Sequence, residues 1–400
     1  MIPDTVATVP GHVRAKNVMD FDIFDIPGAE EDVHRAWKRL HEPGVPDFIW
    51  TCRNQGHWIP TRAADISEIF KDHARFSSLT ATITPNVSPI PLLPLESDPP
   101  QHGPYRKVIN PSFAPAAVRA RAAEARELAI ELIEGIALGG KCEFVGEFAR
   151  RMPIDLFLRM AGLPPEDREF LTFVTEHNSH HRVEKIRNAM MGVMMDYLRS
   201  VITLRRARPG DDLLSRIVNS CPDGKLLSEE EGLGMCTVVL FGGLDTLASL
   251  LGFIARFLAE SPAHRRELIN KPALVAQAVE ELLRRFAVAG VGRIAVADTT
   301  IGDVVIKRGE RIWLASFLHN LDERLFDDPL TVNFTRNGPL HASFGNGNHK
   351  CPGSNLARTE VRIFLEEWLL RIPNFRIPHG VKPVTGAGII LSMNYLPLQW

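Results

Sequence analysis

A cysteine framed by glycines lies near the C-terminal end of the chain, in residues 344–353, which read FGNGNHKCPG. Gly345 and Gly347 permit tight turns before Cys351, and the pattern that follows predicts a long helix from Gly353. The free N–H groups and the positive potential of a helix N-terminus stabilise a thiolate and lower its pKa. Such a thiolate suits a soft ligand for a metal such as haem iron. The spacing alone leaves open a Gly-rich turn that holds a cysteine by chance.

A second unusual set, Gly242, Gly243, Asp245 and Thr246, lies in the middle of the longest predicted helix, Ser228–Ala259. Each glycine inside a helix costs roughly 1 kcal/mol relative to alanine. An acid among apolar residues costs more if it has no partner. These costs favour a function that requires the residues here. The alternative is structural, a helix kink at which the threonine caps a backbone carbonyl.

Two further stretches carry paired or basic side chains. Glu281 and Arg284 lie three residues apart, so they share a helix face and can pair, although a solvated ion pair is the usual explanation. Residues 98–106 read DPPQHGPYR and contain His102 and Arg106. Arginine suits a paired contact with a carboxylate, but an isolated Arg or His is ordinarily a surface residue.

Taken in order along the chain, these motifs resemble those of the cytochrome P-450 superfamily. Residues 344–353 are similar to its haem-binding signature, with His349 where Arg is more usual, and Gly243–Thr246 is similar to its Gly-x-Asp/Glu-Thr pattern. Glu281–Arg284 matches its Glu-x-x-Arg pair. The resemblance covers nearly the whole chain and is closest to the bacterial camphor hydroxylase branch. It implies a mainly α protein with a minor β part, the cytochrome P-450 fold, with haem b between two long helices.

The resemblance also implies a role for each residue. Cys351 would be the axial thiolate ligand of the haem iron, Thr246 would hydrogen-bond dioxygen or a water beside it, and Asp245 would help to relay protons. Arg336 would complete a buried network with Glu281 and Arg284 beneath the haem. The haem-binding residues would be His102, Arg106, Gly242, Gly243, Arg293, Phe344, Gly345, His349 and Gly353. Of these, His102, Arg106, Arg293 and His349 would contact the propionates.

Two departures from the camphor hydroxylase branch bear on the substrate. That branch places a tyrosine that binds the substrate ketone at the position of Ile90, and an aspartate near the propionates at the position of Val291. The chain's three tyrosines, Tyr105, Tyr197 and Tyr395, all lie outside that loop. We therefore expect a small apolar substrate of terpenoid or norisoprenoid type, held mainly by shape, and poor binding of camphor. The predicted lining is Ile90, Leu95, Val238, Phe241, Ala289, Ile389 and Ile390.

Helical periodicity dominates the chain, and short β-branched runs lie between and after the helices. The predicted helices are Pro60–Asp72, Pro115–Ala137, Glu143–Ala161, Glu184–Arg206, Ser228–Ala259, Pro262–Phe286 and Gly353–Arg371. The predicted strands are Arg293–Val296, Val304–Ile306 and Ile312–Leu314, with a hairpin of Gly388–Ser392 and Tyr395–Leu398. No linker or repeat interrupts the pattern, so we expect one domain over residues 1–400.

Seven prolines between Pro85 and Pro104 exclude a helix or a central strand there. That stretch is either a surface loop or, since Leu92 and Leu95 are apolar, a cover over an apolar site. Three nearby histidines, His177, His180 and His181, are more typical of a solvated helix end than of a metal site, since acidic or cysteine partners are missing.

Composition limits the class of protein. The 46 basic and 48 acidic residues give a net charge of −2, which argues against a nucleic-acid footprint. The N-terminal residues do not read as a signal peptide, and Met235–Ala259 carries Asp245 in its middle, so we expect a core helix rather than a membrane span. Five widely spaced cysteines indicate a reducing cytoplasm.

The 400 residues contain no flavin or nicotinamide motif, so electrons must come from another protein. The resemblance implies a 2Fe–2S ferredoxin with an NADH-dependent reductase, docking on the cysteine side beside Lys350. Two alternatives stay open: a peroxide-driven peroxygenase, which would use the same thiolate haem, and a haem-binding sensor or carrier, which would need no proton relay.

Overall fold

A computed structural model of the chain describes residues 7–80, 82–83 and 88–400. Most of these residues form helices, and short strands lie at one side. The helices are α1 (Ala29–Lys38), α2 (Ala63–Lys71), α3 (His102–Ile109), α4 (Pro115–Ala137), α5 (Arg151–Ala161), α6 (Arg168–His180), α7 (Glu184–Ala207), α8 (Leu213–Val218), α9 (Glu229–Leu244), α10 (Thr246–Glu260), α11 (Pro262–Asn270), α12 (Val275–Arg285), α13 (Ser316–Asn320) and α14 (Ser354–Arg371).

The largest sheet has five strands in the order β1-β2-β8-β5-β3. Its central strands β5 and β8 run antiparallel, with Gly290 opposite Ala315 and Arg293 opposite Ile312. A side chain at Gly290 would lie 2.3 Å from the Trp313 ring, so glycine is required for this close pairing. The strands are β1 (Phe48–Thr51), β2 (His57–Pro60), β3 (Phe76–Ser77), β4 (Lys141–Glu143), β5 (Gly290–Ala295), β6 (Thr299–Ile301), β7 (Val304–Ile306), β8 (Arg311–Ala315), β9 (Val384–Gly386), β10 (Ser392–Tyr395) and β11 (Pro397–Gln399).

The longest helical segment is broken at Asp245. Ser228 and Glu231 form a capping box that begins α9, and α9 ends at Leu244 because Asp245 has φ −119° and ψ −40°. The continuous helix predicted over Ser228–Ala259 is therefore two helices. By length and composition Glu229–Glu260 is apolar enough to cross a membrane, but 72% of its most apolar 18-residue stretch is buried inside the protein. That burial agrees with a core helix.

Prolines and local pairing account for the other differences from the predicted elements. Pro60 ends β2, so the helix predicted to begin there starts later, at Ala63. Glu143 ends β4, and the helix predicted from that residue is a π-helical segment, Val145–Ala149, followed by α5. Pro272 divides the segment predicted as Pro262–Phe286. The predicted C-terminal hairpin is wrong because β10 pairs with β9, and β11 pairs with β4. Sequence periodicity also missed α1, α6 and α8, which are short or weakly patterned.

Two apolar clusters make up the core. One joins the five-stranded sheet to α1, α2, α10, α12 and α14, and the other fills the space among α5, α6, α7, α8 and α9. The described part of the proline-rich stretch, residues 88–104, packs Ile90, Leu92 and Leu93 into the second cluster. Pro85 lies outside the described residues. The broken helix thus lies where the two clusters meet.

Candidate active site

A cavity of about 410 Å³ lies between the break in the α9–α10 segment and the loop that precedes α14. Gly242 and Thr246 line one wall, and Phe344, Gly345 and Cys351 line the opposite wall. Leu92, Pro94 and Leu95 also line the cavity, so the proline-rich loop covers an apolar site rather than open surface.

The loop that carries Cys351 is fixed by backbone contacts. The Cys351 N–H donates to the Phe344 carbonyl at 2.9 Å, which closes the loop on itself. Gly345 and Gly347 have φ values of +66° and +72°, and a side chain at Gly347 would lie 2.9 Å from the Phe70 carbonyl oxygen. Gly353 precedes the first residue of α14. The glycines around Cys351 therefore meet backbone requirements, as the sequence predicts.

Cys351 is exposed and lines the cavity. Loss of solvent around the thiol, caused by the protein that packs against it, raises the pKa of Cys351. This effect outweighs the backbone N–H groups of Gly353 and Ser354 and the charge of Arg106, all of which lower the pKa. The N–H groups at the start of the helix do lower this pKa, as the sequence predicts, but in the chain by itself burial has the larger effect. A coordinating thiol is deprotonated outright by a bound metal cation, so the same loop suits a thiolate once iron is present.

Four basic side chains converge at one end of the cavity: His102, Arg106, Arg293 and His349. Arg293 is only 3% exposed, and Arg106 donates to the Lys350 carbonyl at 2.9 Å. The His102 and His349 rings lie 4.2 Å apart. Burial and the neighbouring cations lower the pKa of His102 to about 4 and that of His349 to about 3.

This basic cluster fits the two propionates of a haem. Within the described part of the chain Arg293 forms no ion pair, although the charge of Asp98 acts on it from farther away, and a buried charge without a close partner is costly. Nε2 of His102 and Nε2 of His349 are buried without hydrogen-bond partners. Val291, on the same strand as Arg293, adds no negative charge where the resembling branch carries aspartate. Two carboxylates placed here would neutralise the charge of Arg293 and would give the two Nε2 atoms hydrogen-bond partners.

The two glycines of α9 differ in their surroundings. A side chain added at Gly242 would meet nothing within 4 Å, so this position faces the open cavity. A side chain at Gly243 would lie 2.4 Å from the Phe157 ring of α5. Gly243 also borders the cavity, but the close packing of α9 on α5 already requires glycine there. Gly243 therefore has a packing role besides its place on the cavity wall, and its contact with the haem stays a prediction.

Thr246 and Asp245 face different spaces. Thr246 lines the apolar cavity, and its hydroxyl donates to the Gly242 carbonyl at 2.9 Å. This is the kink with a capping threonine that the structural alternative predicted, so the kink and the cavity-lining hydroxyl occur together. Asp245 is 7% exposed and lines a separate polar cavity of about 340 Å³ with Arg150, Glu176 and His180.

His180 is the partner of Asp245, which sequence reasoning missed. Its Nε2 lies 2.8 Å from Asp245 Oδ2. The expectation of a solvated helix end is therefore wrong for His180, whose side chain is only 17% exposed. Among the described residues no group of three or more metal-ligating side chains forms a metal site. The two partners lie 65 residues apart in sequence, and no local pattern signals such a contact.

The predicted structural network is formed by two buried charged residues, Glu281 and Arg284, and the half-buried Arg336. Arg284 donates to both carboxylate oxygens of Glu281, at 2.7 and 2.9 Å, and Arg336 donates to Glu281 Oε1 at 3.1 Å. Arg284 also donates to the carbonyls of Asn320 and Pro329. The network therefore ties α12 to the segment between α13 and the cysteine loop.

The substrate lining agrees with the prediction at six of seven positions. Leu95, Val238, Phe241, Ala289, Ile389 and Ile390 line the cavity. Ile90 does not: it is buried in the second apolar cluster, because the loop turns its side chain away from the cavity. None of the three tyrosines is among the lining residues.

Sequence reasoning also missed polar residues in the cavity wall. Asn178 and Ser179 at the end of α6 line it, as does Glu360 of α14. Burial raises the pKa of Glu360 well above its ordinary value, which favours the neutral carboxylic acid. A single Glu in a helix carries no sequence signal that distinguishes it from a surface residue.

Relatives of the chain match over most of its length. A family model described as "Cytochrome P450" matches residues 165–386. "Probable cytochrome P450 127A1" of Sinorhizobium fredii is 33% identical over 401 residues, which cover 98% of this chain and 97% of that protein. "Nocardicin C N-oxygenase" of Nocardia uniformis is 31% identical over 86% of this chain and 89% of its own length.

Solved structures give the same result. The crystal structure of cytochrome P450 CYP101C1 is 36% identical, with a TM-score of 0.89 and coverage of 98% of this chain and 100% of that chain. The crystal structure of CYP101J2 is 33% identical, with a TM-score of 0.88 and coverage of 98% and 99%. The chain therefore belongs to the cytochrome P450 family and is a monooxygenase that uses haem b and dioxygen.

Proposed function

We propose that the protein hydroxylates a small apolar substrate of terpenoid or norisoprenoid type, with electrons supplied by a 2Fe–2S ferredoxin and its NADH-dependent reductase. The observation that carries this proposal is the apolar cavity, which has Cys351 on one wall and Thr246 on the other. The predicted haem-binding residues and the apolar substrate lining border this same cavity, so a flat cofactor against the cysteine would lie beside the substrate.

The residues that would hold haem b are Cys351, as iron ligand, and the basic cluster His102, Arg106, Arg293 and His349, as propionate partners. Phe344, Gly345 and Gly353 would shape the wall on the cysteine side, and Gly242 would leave room on the other. When bound, haem supplies dioxygen activation and the insertion of one oxygen atom into a C–H bond. The chain's own residues bind and orient the haem and the substrate, and they exclude water from the cavity.

Asp245 and Thr246 would deliver protons to the apolar cavity. The two residues are adjacent in sequence but line different cavities, the polar one and the apolar one. The Thr246 hydroxyl lies on the wall of the apolar cavity, and its hydrogen bond to the Gly242 carbonyl already orients it. A proton held on Asp245 would therefore enter the apolar cavity beside Thr246.

The lining supports recognition of the substrate by shape. Most of it is aliphatic or aromatic, and a hydrophobic pocket discriminates by only about 1–3 kcal/mol per methylene. We therefore expect several terpenoid or norisoprenoid ligands to bind. Camphor should bind poorly, because no tyrosine hydroxyl in the wall meets its ketone.

Exposed lysines around the cysteine loop support an acidic electron donor. Lys350 is exposed beside Cys351, Lys71 lies against Gly347, and Lys107 follows Arg106 on α3. Complementary charge steers such encounters.

All five cysteines are free thiols, which supports a cytoplasmic location. We also propose that residues 1–400 act as one domain.

The test compares three reaction mixtures with the holoprotein: ferredoxin, reductase and NADH; peroxide alone; and neither. Product in the first mixture alone supports the proposal. Product with peroxide alone at the same rate would make the protein a peroxygenase, and no product in either would leave a haem sensor or carrier. The intact Asp245-Thr246 pair favours the first outcome. A titration of terpenoids, norisoprenoids and camphor, followed by the Soret shift of the haem, then identifies the substrate class.

A further inference from the structure

Two cavities meet at a thin wall made by two pairs of adjacent residues. At the helix break, Asp245 faces the polar cavity and Thr246 faces the apolar one. At the end of α6, His180 faces the polar cavity and Ser179 faces the apolar one. The Ile389 N–H donates to the Ser179 carbonyl at 3.2 Å, which holds α6 against the loop before β10. His180 and Asp245 therefore contact each other on the side of this wall that faces the polar cavity.

The contact between His180 and Asp245 is well placed for proton transfer. Nε2 and Oδ2 are 2.8 Å apart, and the side chains are 17% and 8% exposed. His180 is the last residue of α6, where the helix dipole favours a positive charge. Histidine is the side chain whose charge changes most readily near neutral pH.

The charged groups that face His180 favour its protonated form on balance. Burial lowers the pKa of His180, but the charge of Asp245, the hydrogen bond to it, Glu176 and the backbone of Ile390 together raise that pKa above its ordinary value. Arg150 pairs with Glu176 across the same cavity. Burial in turn raises the pKa of Glu176, although Arg150 opposes this.

The neighbouring histidines share the cavity but not the contact. His177 Nδ1 is 2.9 Å from the Phe173 carbonyl, and His181 Nδ1 accepts from the Val183 N–H. Both rings line the polar cavity, yet neither has a hydrogen bond to Asp245 among the described contacts. His177 is therefore a matched control for His180.

We propose that His180 is a proton-relay residue that acts through Asp245, taking protons from the polar cavity and passing them to the Asp245 carboxylate. This inference rests on the proposed role of Asp245 in proton delivery. In each turnover RH, O2, two electrons and two protons become ROH and H2O. The electrons come from the reduced ferredoxin. Each proton comes from solvent and forms the imidazolium, whose Nε2 proton passes to Oδ2 of the Asp245 carboxylate. The Asp245 carboxyl then releases its proton towards the apolar cavity and is again a carboxylate. The neutral imidazole, which keeps its proton on Nδ1, takes up the next proton at Nε2.

The first experiment measures NADH-driven turnover of His180→Gln holoprotein at saturating ferredoxin and substrate. Gln keeps a hydrogen bond to Asp245 but cannot take up and release a proton near neutral pH, so we expect turnover to fall by about 100-fold, with a larger solvent deuterium isotope effect. Substrate binding, followed by the Soret shift, should be unchanged. His177→Gln should behave as the unmodified protein. His180→Asn serves as a second variant if His180→Gln does not retain haem.

The pH profile of turnover separates a proton-relay role of His180 from a structural one, because a structural role would leave the profile unchanged. The relay needs protonated His180, so the rate should fall as pH rises through the raised pKa of this histidine in the folded protein. His180→Gln should lose that descending limb, and His177→Gln should keep it. Histidine-labelled NMR of the carbon monoxide form should give His180 a pKa above 6.5, and Asp245→Asn should lower it.

The outcomes separate this inference from the proposed function. If Asp245→Asn slows turnover but His180→Gln matches His177→Gln in rate and pH profile, the relay through His180 is overturned and the role of Asp245 stands. If Asp245→Asn leaves rate and coupling unchanged, both are overturned. If His180→Gln slows turnover, removes the limb and binds substrate normally, the inference is supported.

Discussion

The two walls of the apolar cavity are built in different ways. The cysteine wall comes from one contiguous loop, held by its own backbone hydrogen bonds and by two glycines with positive φ, one of which also packs against the backbone of Phe70. The acid wall is assembled from α6, the α9–α10 break and the loop before β10, and side chains make its decisive contact. The cysteine wall therefore provides a fixed binding surface. The acid wall provides a titratable contact that one substitution in any of three segments can change.

The largest expected effect lies on the cysteine wall. Cys351→His replaces the proposed iron ligand, so the reduced carbon monoxide adduct should lose the absorption band that gives the family its name. Turnover should fall by more than the roughly 10–100-fold that outer residues of metal sites cost. Cys221→Ser, at an exposed cysteine, should keep both band and rate. A Cys351→His protein that retained the band would refute the ligand assignment.

The next largest effect should come from the network of Glu281, Arg284 and Arg336 beneath the cysteine wall. Glu281→Gln leaves Arg284 and Arg336 without their carboxylate in a buried site, and breaking such a pair typically costs about 3–5 kcal/mol of unfolding free energy. Glu267→Gln removes an exposed i,i+4 pair with Lys271 and should cost less than about 1 kcal/mol. Chemical denaturation of both variants, followed by haem release, checks this. Equal losses would mean that the network does not support the wall.

The same contrast explains how much the sequence alone could predict. Residues 344–353, the Glu281–Arg284 spacing and the residues around Asp245 carry local signals, because each depends on near neighbours in the chain. His180 and Ile90 carried none. The partner of His180 lies 65 residues away, and the direction of Ile90 depends on how a loop with several prolines turns over the cavity. The last strand failed for the same reason, since β11 pairs with β4, more than half the chain earlier. The strand before it, β10, pairs locally with β9 instead of with β11.

On the acid wall, Thr246→Ala should separate binding from proton delivery. The variant should bind substrate as before, but coupling of NADH use to product should fall by about 10-fold or more, with peroxide formed instead. Thr203→Ala removes a similar hydroxyl-to-carbonyl bond, to Arg199, on the exposed side of α7. This control should leave coupling unchanged. Normal coupling in Thr246→Ala, measured as product per NADH with peroxide quantified, would assign Thr246 to the helix kink alone.

The smallest expected effect concerns the loop that covers the cavity, where Leu95 lines the wall and Ile90 does not. Leu95→Tyr should bring a hydroxyl to the cavity. One net hydrogen bond of about 0.5–1.5 kcal/mol would tighten binding of a norisoprenoid ketone by about 2- to 10-fold over Leu95→Phe, which has the same ring without the donor.

Ile90→Tyr should give no such gain. Its larger ring would overpack the apolar cluster around Ile90, at a cost of about 1–3 kcal/mol of unfolding free energy. Soret titrations of the two Leu95 variants and of Ile90→Tyr, with denaturation curves for each, measure both effects. Tighter ketone binding by Ile90→Tyr with unchanged stability would mean that Ile90, not Leu95, faces the substrate, because a residue packed in the cluster could contribute neither result.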